Sequence, residues 1–407
     1  MSRVSEVPTV GLTDIEEARR VLAGVAIQTP MEESRWLSAI AGGPVVLKCE
    51  NLQRTGSFKP RGAYVRISRL TPEERAHGVV AASAGNHAQG VALAAQLLGI
   101  KATVFMPEGA PIPKEKATRG YGADVLFHGR YLEDALAEAK AFAERTGAVL
   151  IHPFDHADIV AGQGTAGLEI LEQAPDLKTV LVPTGGGGLL AGVAIAVKAL
   201  RPDVRVIGVQ AAGAAAYPTS LAEGHPVALT SMKTMADGIA VGLPGEVTFA
   251  AVRDHVDDIV TVSETSLSRS VLAVLERAKM LVEPAGAAAV AAVLDRPQAF
   301  ETPAVVVLSG GNIDPLLLGK VIRHGMAAAG RYLYLRVCIP DLPGGLAQLL
   351  ADVSAVGANV LEVVHERISP TLSLDEVEVH LQLETRGEPH TAQLLDRLRE
   401  RGYRVYD

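Results

Sequence analysis

The sequence predicts an α/β protein in two parts. Residues 1–330 should form a unit of open, mostly parallel sheets, and residues 331–407 a small β-α-β-β-α-β module. Three observations carry this. Short, wholly apolar runs alternate with Ala/Leu/Glu/Lys segments of helical length, the pattern of parallel strands covered on both faces. Near residue 330 a new β run opens (Tyr332-Leu-Tyr-Leu-Arg-Val-Cys338) and the order of elements changes. With 407 residues, 48% apolar and 21% charged, the chain has the size for two or three domains and the balance of a soluble globular protein.

The same composition narrows the partners. Net charge is -8 and no Lys/Arg-rich run occurs, which argues against nucleic acid or an anionic membrane. The N-terminal stretch is not a signal segment, and the Ala-rich segments are interrupted by Gly, Lys or Arg, so a cytoplasmic protein is expected. Cys49 and Cys338 lie far apart and outside any CxxC pair, which excludes a disulfide framework and a thiolate zinc site. No metal motif stands out.

Taken in order, Thr13-Asp-Ile-Glu16 reads as a capping box opening an amphipathic helix, and Val45-Val-Leu-Lys-Cys49 as a strand. Further strands are expected at 78–82, 102–106, 149–151, 180–182, 204–209 and 304–308, and helices at 88–98, 131–146, 163–173 and 266–280. The part from about 50 to 150 should form a smaller subdomain inserted in the larger one. After a boundary at 329–331 come a strand, a helix at 346–356, strands near 359–367 and 375–384, a helix at 390–401 and a strand at Tyr403–Tyr406. That order defines a ferredoxin-like module.

Four stretches at strand ends or helix starts carry chemistry, and in such sheets ligands bind at the carboxyl ends of strands. The first, Thr55-Gly-Ser-Phe-Lys-Pro-Arg-Gly-Ala63, centres on Lys59. Pro60 disfavours helical geometry at Lys59 and suits a helix start, so Lys59 should sit in an extended or turn conformation at a helix N-terminus. The positive end of that helix helps to keep the amine neutral and nucleophilic. A surface lysine beside a turn is the plain alternative. The second, Val182-Pro-Thr-Gly-Gly-Gly-Gly-Leu189, offers the backbone N–H groups of Gly185 to Leu189 to an anion. Gly186, Gly188 and Ala191 match a dinucleotide motif, but the next strand ends in Val209-Gln210 with no acidic residue, so a small phosphate ester fits better. In the third, Ser83-Ala-Gly-Asn-His-Ala-Gln-Gly90, Ser83, Asn86 and His87 offer donors to a carboxylate; helix capping by Ser83 or Asn86 is the alternative. In the fourth, Val305-Val-Val-Leu-Ser-Gly-Gly-Asn312, Ser309 ends an apolar strand and needs a partner for its hydroxyl, either a backbone group or a ligand ring nitrogen.

An imine-forming lysine, a phosphate loop, a carboxylate loop and a hydroxyl for a ring nitrogen add up to a pyridoxal phosphate site. The combination SFKPRGA, SAGNHAQG, GGGGLLAG and LSGGN, in this order, resembles the fold type II (tryptophan synthase β-like) pyridoxal phosphate enzymes, and among them the threonine/serine ammonia-lyases. The match runs from about residue 10 to 330. Residues 332–407 resemble an ACT domain, an amino-acid-sensing module that these lyases often carry at this end.

The resemblance implies roles residue by residue. Lys59 holds the cofactor's aldehyde and removes the substrate Cα proton. Phe58 packs by the ring, Asn86 bonds the phenolic oxygen, Gly185, Gly186, Gly187, Gly188 and Leu189 hold the phosphate, and Ser309 faces the pyridine nitrogen. Ser83, Gly85, Asn86 and His87 bind the substrate carboxylate. Glu283, in Met280-Leu-Val-Glu-Pro-Ala-Gly286, matches a segment near the cofactor, though a helix-start glutamate explains it equally well. The expected reaction turns L-threonine, and L-serine, into a 2-oxo acid and ammonia. Serine racemases of this fold carry a second serine where this chain has Ala84, which cannot move a proton. A non-catalytic amino-acid-binding regulator is the alternative from another class, and a nucleotide-dependent oxidoreductase is more distant. Relatives with a divalent-metal site have acidic side chains where this chain has Gln210-Ala-Ala-Gly-Ala-Ala-Ala216, so no metal is expected there. In the C-terminal module Leu342, Gly344 and Gly345 of Asp341-Leu-Pro-Gly-Gly345, with Asn359, are expected to meet an amino-acid effector; a tight turn before a helix is the alternative. ACT modules pair across subunits, which implies a homo-oligomer.

Overall fold

A computed structural model describes residues 8–367, 372–373 and 375–406. Two compact units, Met1–Leu318 and Gly319–Asp407, divide within the helix Pro315–Ala328, upstream of the join expected at 329–331. The first holds two sheets. The larger has the strand order Met31–Glu33, Val45–Lys48, Ala304–Val307, Thr179–Pro183, Arg205–Ala211, Asp258–Val262, parallel except for its first pair. The smaller is wholly parallel, in the order Asp124–Phe127, Ala102–Met106, Val79–Ala82, Val149–Leu150.

Inner strands such as Val79–Ala82 and Ala304–Val307 are buried along their whole length, which is why they read as unbroken apolar runs. The three strands that the sequence reading missed, Met31–Glu33, Asp124–Phe127 and Asp258–Val262, all lie at sheet edges. There much of the strand meets water, so the buried apolar run is short or, in Met31–Glu33, replaced by charged residues.

Two other expectations need correcting at helix starts. The first helix runs from Leu12 to Val21 and is entered through an extended Gly11, whose N–H donates to Asp14 Oδ2 at 2.8 Å; Thr13 lies inside it. The lysine helix runs from Lys59 to Ser68, so Lys59 opens the first turn rather than preceding it. Pro60 is tolerated second in a helix because that position has no intrahelical acceptor for an N–H.

The helix Ala157–Gln173 spaces the interior. A β-carbon on Gly162 would stand 2.6 Å from Gly62 Cα in the lysine helix, and one on Gly192, in the helix Gly188–Leu200, would stand 2.4 Å from Gly164 N. Backbones therefore touch at both crossings, and the two helices that start in the lysine and glycine stretches dock on one neighbour. A charge network locks the first crossing. Arg61 Nε donates to Glu50 Oε2 (2.8 Å), Arg61 Nη1 to Glu169 Oε1 (2.6 Å), and Lys48 Nζ to Glu169 Oε2 (2.6 Å). Burial alone would push the Glu50 carboxyl up, but the Arg61 guanidinium overrides it and holds it below the usual carboxylate range.

The second unit is a four-stranded antiparallel sheet in the order Asn359–Glu366, Glu376–Glu384, Tyr332–Pro340, Arg404–Tyr406, with helices Gly345–Val356 and Glu388–Glu400. Leu335, Val337, Val379 and Leu381 bury against Leu349, Val353, Leu394 and Leu398. The order β-α-β-β-α-β is that of a ferredoxin-like module.

Gly162→Ala is expected to destabilise the protein by about 1–3 kcal/mol, since the new carbon meets backbone that cannot yield cheaply. Gly319→Ala, in a helix where a β-carbon meets nothing within 4 Å, should leave stability unchanged or raise it. Thermal unfolding of both variants checks the pair.

Candidate active site

The carboxyl ends of the inner strands deliver three of the four stretches to one edge. Ser83 follows Val79–Ala82, the four glycines follow Thr179–Pro183, and Ser309 follows Ala304–Val307. The lysine segment is tied to the last of these: Phe58 N–H donates to Ser309 O (3.3 Å), and Ser57 pairs with Gly310. The four stretches line one cavity of about 410 Å³, in which Phe58, Lys59, Ser83, Gly85, Asn86, His87, Gly185 to Leu189, Glu283 and Ser309 all face the same space.

Lys59 Nζ donates to Pro153 O at 3.0 Å and lies 5.1 Å from the Phe58 ring centre. Enclosure by the protein pushes its amine down to about 8, against the pull of the Glu283 carboxylate. The dominant cause is thus burial, where the sequence reading had invoked the helix end.

The glycine turn is held from behind. Gly186 O accepts from Thr248 Oγ1 (2.7 Å) and Tyr217 Oη (3.2 Å), which leaves the turn's N–H groups to the cavity side. A β-carbon on Gly186 would stand 2.4 Å from the Phe154 ring, and one on Gly187, at φ +92°, 1.9 Å from Tyr217 Oη. Only glycine fits either place.

In the third stretch Ser83 Oγ accepts from Gly85 N–H (3.1 Å), and the helix begins at Asn86 without a side-chain cap. Asn86 Nδ2 donates to Glu283 Oε1 (2.6 Å), and its Oδ1 accepts from Asn312 Nδ2 (2.8 Å). His87 departs from expectation. Its Nε2 lies 2.7 Å from Ile151 O, a carbonyl that can only accept, so that nitrogen's proton is spent inside the protein. Burial, and then the Lys59 charge, push the imidazole down to about 3, so the ring is neutral and only the backbone N–H of His87 is left for a carboxylate. Ser309 is 4% exposed and lines the cavity.

Glu283 is 3% exposed, and burial, reinforced by Asp237, pushes its carboxyl up to about 7. Sequence reading missed Lys114 and Asp237, which line the cavity as an ion pair at 2.8 Å (Nζ to Oδ2), and the supports Phe154, Tyr217 and Thr248. None of these lies in a patterned stretch; only the fold brings them together.

A phosphate-bearing aldehyde with an aromatic ring fits these residues. The bare glycine turn would fill if it carried β-carbons, Lys59 supplies a partly neutral amine, and Ser309 supplies a hydroxyl at the cavity wall. Residues 22–310 match the family described as pyridoxal-phosphate dependent enzyme. The chain belongs to that family. An L-threonine ammonia-lyase of Thermotoga maritima is 45% identical over 396 residues, covering 97% of this chain and 99% of that protein. Among solved structures, maize serine racemase superposes with a TM-score of 0.73 at 37% identity, covering 77% of this chain and 97% of that one. The processed form of threonine deaminase isoform 2 from Solanum lycopersicum gives 0.73 at 39% identity, covering 78% and 95%.

In the second unit Leu342 and Gly344 line a separate cavity of about 420 Å³ with Asp341, His365 and Arg367. Gly345 begins the helix behind it. Asn359 lies elsewhere: it pairs with Glu384 at the far end of its strand and donates to Glu384 Oε2 (3.2 Å). Antiparallel pairing brings the other end of that strand, near Glu366, to the loop.

A lowered amine pKa means that the neutral fraction of Lys59 grows as pH climbs through about 8. Uptake of pyridoxal phosphate by the cofactor-free protein, followed by absorbance, should accelerate over that interval and level off above it. Gly186→Ala should retain the cofactor at least about tenfold less tightly, measured by dialysis and absorbance.

Proposed function

We propose that this protein is a lyase that converts L-threonine, and L-serine, to 2-oxobutanoate or pyruvate and ammonia, using pyridoxal phosphate. The observation that carries the reading is Lys59: a single amine of depressed pKa shares one cavity with the bare glycine turn and the Ser83–His87 loop. The full-length similarity to a protein named L-threonine ammonia-lyase supports it.

When bound, pyridoxal phosphate supplies an aldehyde for amines and an electron-withdrawing ring that acidifies the substrate Cα. Lys59 takes the Cα proton, a task suited to an amine whose pKa lies near the working pH. The N–H groups of Gly185 to Leu189 hold the phosphate at a helix N-terminus. Ser83 and the backbone of Gly85, Asn86 and His87 receive the substrate carboxylate, and Phe58 bounds the ring site. Ser309 offers the ring nitrogen a neutral hydroxyl, which does not fix a proton there as a carboxylate would.

Serine racemase is the second reading, favoured by the maize structure. Ala84 lines the cavity in the loop position where a racemase needs a hydroxyl, and it can neither give nor take a proton. Residues 331–407 we read as an ACT domain that pairs across a homo-oligomer in the cytoplasm. An amino-acid effector would sit in the cavity at Leu342 and Gly344, with its carboxylate competing with Asp341 for Arg367, the two being paired at 3.2 Å.

A coupled assay for ammonia and 2-oxo acid should find L-threonine and L-serine deaminated, and Lys59→Ala should lower kcat by at least about a thousandfold. Full activity in that variant, or racemised serine as the main product, would refute the reading. Adding each branched-chain amino acid should change the rate, and Arg367→Ala should abolish the response.

A further inference from the structure

The cavity's charges are arranged so that one of them filters substrates. Resting on the lyase reading above, we propose that the Lys114–Asp237 ion pair is the specificity element for the substrate's β-substituent. Asp237 occupies the cation that could otherwise receive a second carboxylate, and so restricts the site to uncharged β-hydroxy amino acids.

The placement of the pair supports this. Lys114 belongs to the helix Ile112–Gly120 of the smaller subdomain, and Asp237 to a short turn, Asp237–Ile239, in the larger. They meet at the cavity, Nζ to Oδ2 at 2.8 Å. Lys114 is 8% exposed, and Asp237 is the only acidic group that its ammonium meets among the described residues. That ammonium lies 3.9 Å from where a β-carbon on Gly85 would stand, so it overlooks the loop assigned to the substrate carboxylate. On the other flank, a β-carbon on Gly238 would stand 3.3 Å from Glu283 Oε1, which places the Asp237 turn against the residue that bonds Asn86. The pair therefore borders the substrate space between the carboxylate loop and Glu283.

The charge balance gives the direction. The charged side chains lining the cavity are Lys59, Lys114, Glu133, Asp237 and Glu283; the other titratable ones are His87 and His152, both neutral. Lys59 is committed to chemistry. Lys114 is the sole remaining cation among the described lining residues, and Asp237 already holds it. A substrate with a carboxylate on Cβ would enter beside Asp237 and Glu283, and the one cation near it is already neutralised by Asp237. The Asp237 side chain is 56% exposed, so its repulsion of a second carboxylate acts in a partly hydrated mouth and disfavours that substrate without excluding it. A methyl or hydrogen at the same position meets no such penalty. Without the Asp237 charge, Lys114 would present three donors to the space that a β-carboxylate occupies.

The test uses holoenzyme and two substrates, L-threonine and L-threo-3-hydroxyaspartate, which has a carboxylate in place of threonine's methyl. Asp237→Asn should raise the ratio of kcat/KM for hydroxyaspartate over threonine by at least about tenfold, and Asp237→Glu should keep the wild-type ratio. Adding Lys114→Met to Asp237→Asn should erase the gain. Binding gives a second readout: L-aspartate, titrated by the cofactor's absorbance, should bind Asp237→Asn more tightly than wild type by a similar factor. An unchanged ratio and unchanged aspartate binding in Asp237→Asn, or a gain that survives Lys114→Met, overturns the proposal. If Asp237→Asn does not fold, Asp237→Ser is read against the same outcomes. Wild-type protein that deaminates neither threonine nor serine removes the lyase reading instead, while the aspartate titration still reports on the filter.

Discussion

The site depends on how closely three helices approach one another. At Gly62/Gly162 and at Gly164/Gly192 two backbones occupy space that a single β-carbon would block. The helix Ala157–Gln173 accepts the lysine helix on one side and the glycine-loop helix on the other. Both of those helices begin at the cavity, so the spacing of their first turns is set by glycine contacts well behind it. The Arg61 network acts at the first crossing. Its two cations and Glu50 are buried, with Glu169 at the margin, so each buried charge is tolerable only with its partners in place. Arg61 is two residues from Lys59, so the register of the reactive amine is fixed by a charge arrangement that never touches the cavity.

Within the cavity the same low-polarity surroundings act in opposite directions on acids and bases. Lys59 is pushed down toward neutrality, and Glu283 up toward protonation, because burial penalises whichever form is charged. His87 is driven furthest, and its ring becomes a structural strut between the carboxylate loop and Ile151. An amine and a carboxyl that both lose their charge near neutral pH suit proton movement better than salt-bridge formation.

How much of this was legible in the sequence follows from where the information lies. Lys59, the glycine run, Ser83–His87 and Ser309 stand in local patterns at strand ends, and the order of apolar runs placed most inner strands within one or two residues. Three edge strands of the first unit escaped because exposure shortens the apolar run, whereas the edge strand Val149–Leu150 was legible. Lys114 and Asp237 escaped for a deeper reason: they are 123 positions apart, and neither sits in a motif. Tyr217 and Thr248 likewise support Gly186 from 31 and 62 positions away. Asn359 was misplaced because composition alone does not say which end of a strand meets a loop. Antiparallel register decides it, and register is a property of the sheet.

The division between patterned and unpatterned residues has a chemical counterpart. Groups proposed to touch the cofactor come from contiguous stretches, because a rigid ligand demands fixed spacing among backbone N–H groups, an amine and a hydroxyl. Groups around the substrate's variable end come from separate elements, Lys114 from one subdomain and Asp237 from the other. A side chain placed on the glycine turn would meet Phe154 or Tyr217, so the turn proposed to hold the phosphate cannot be altered without disturbing it. An ion pair across a cleft can be altered without touching that turn. On the proposed reading, the chemistry lies in contiguous segments and the discrimination between β-substituents in residues that only the fold brings together.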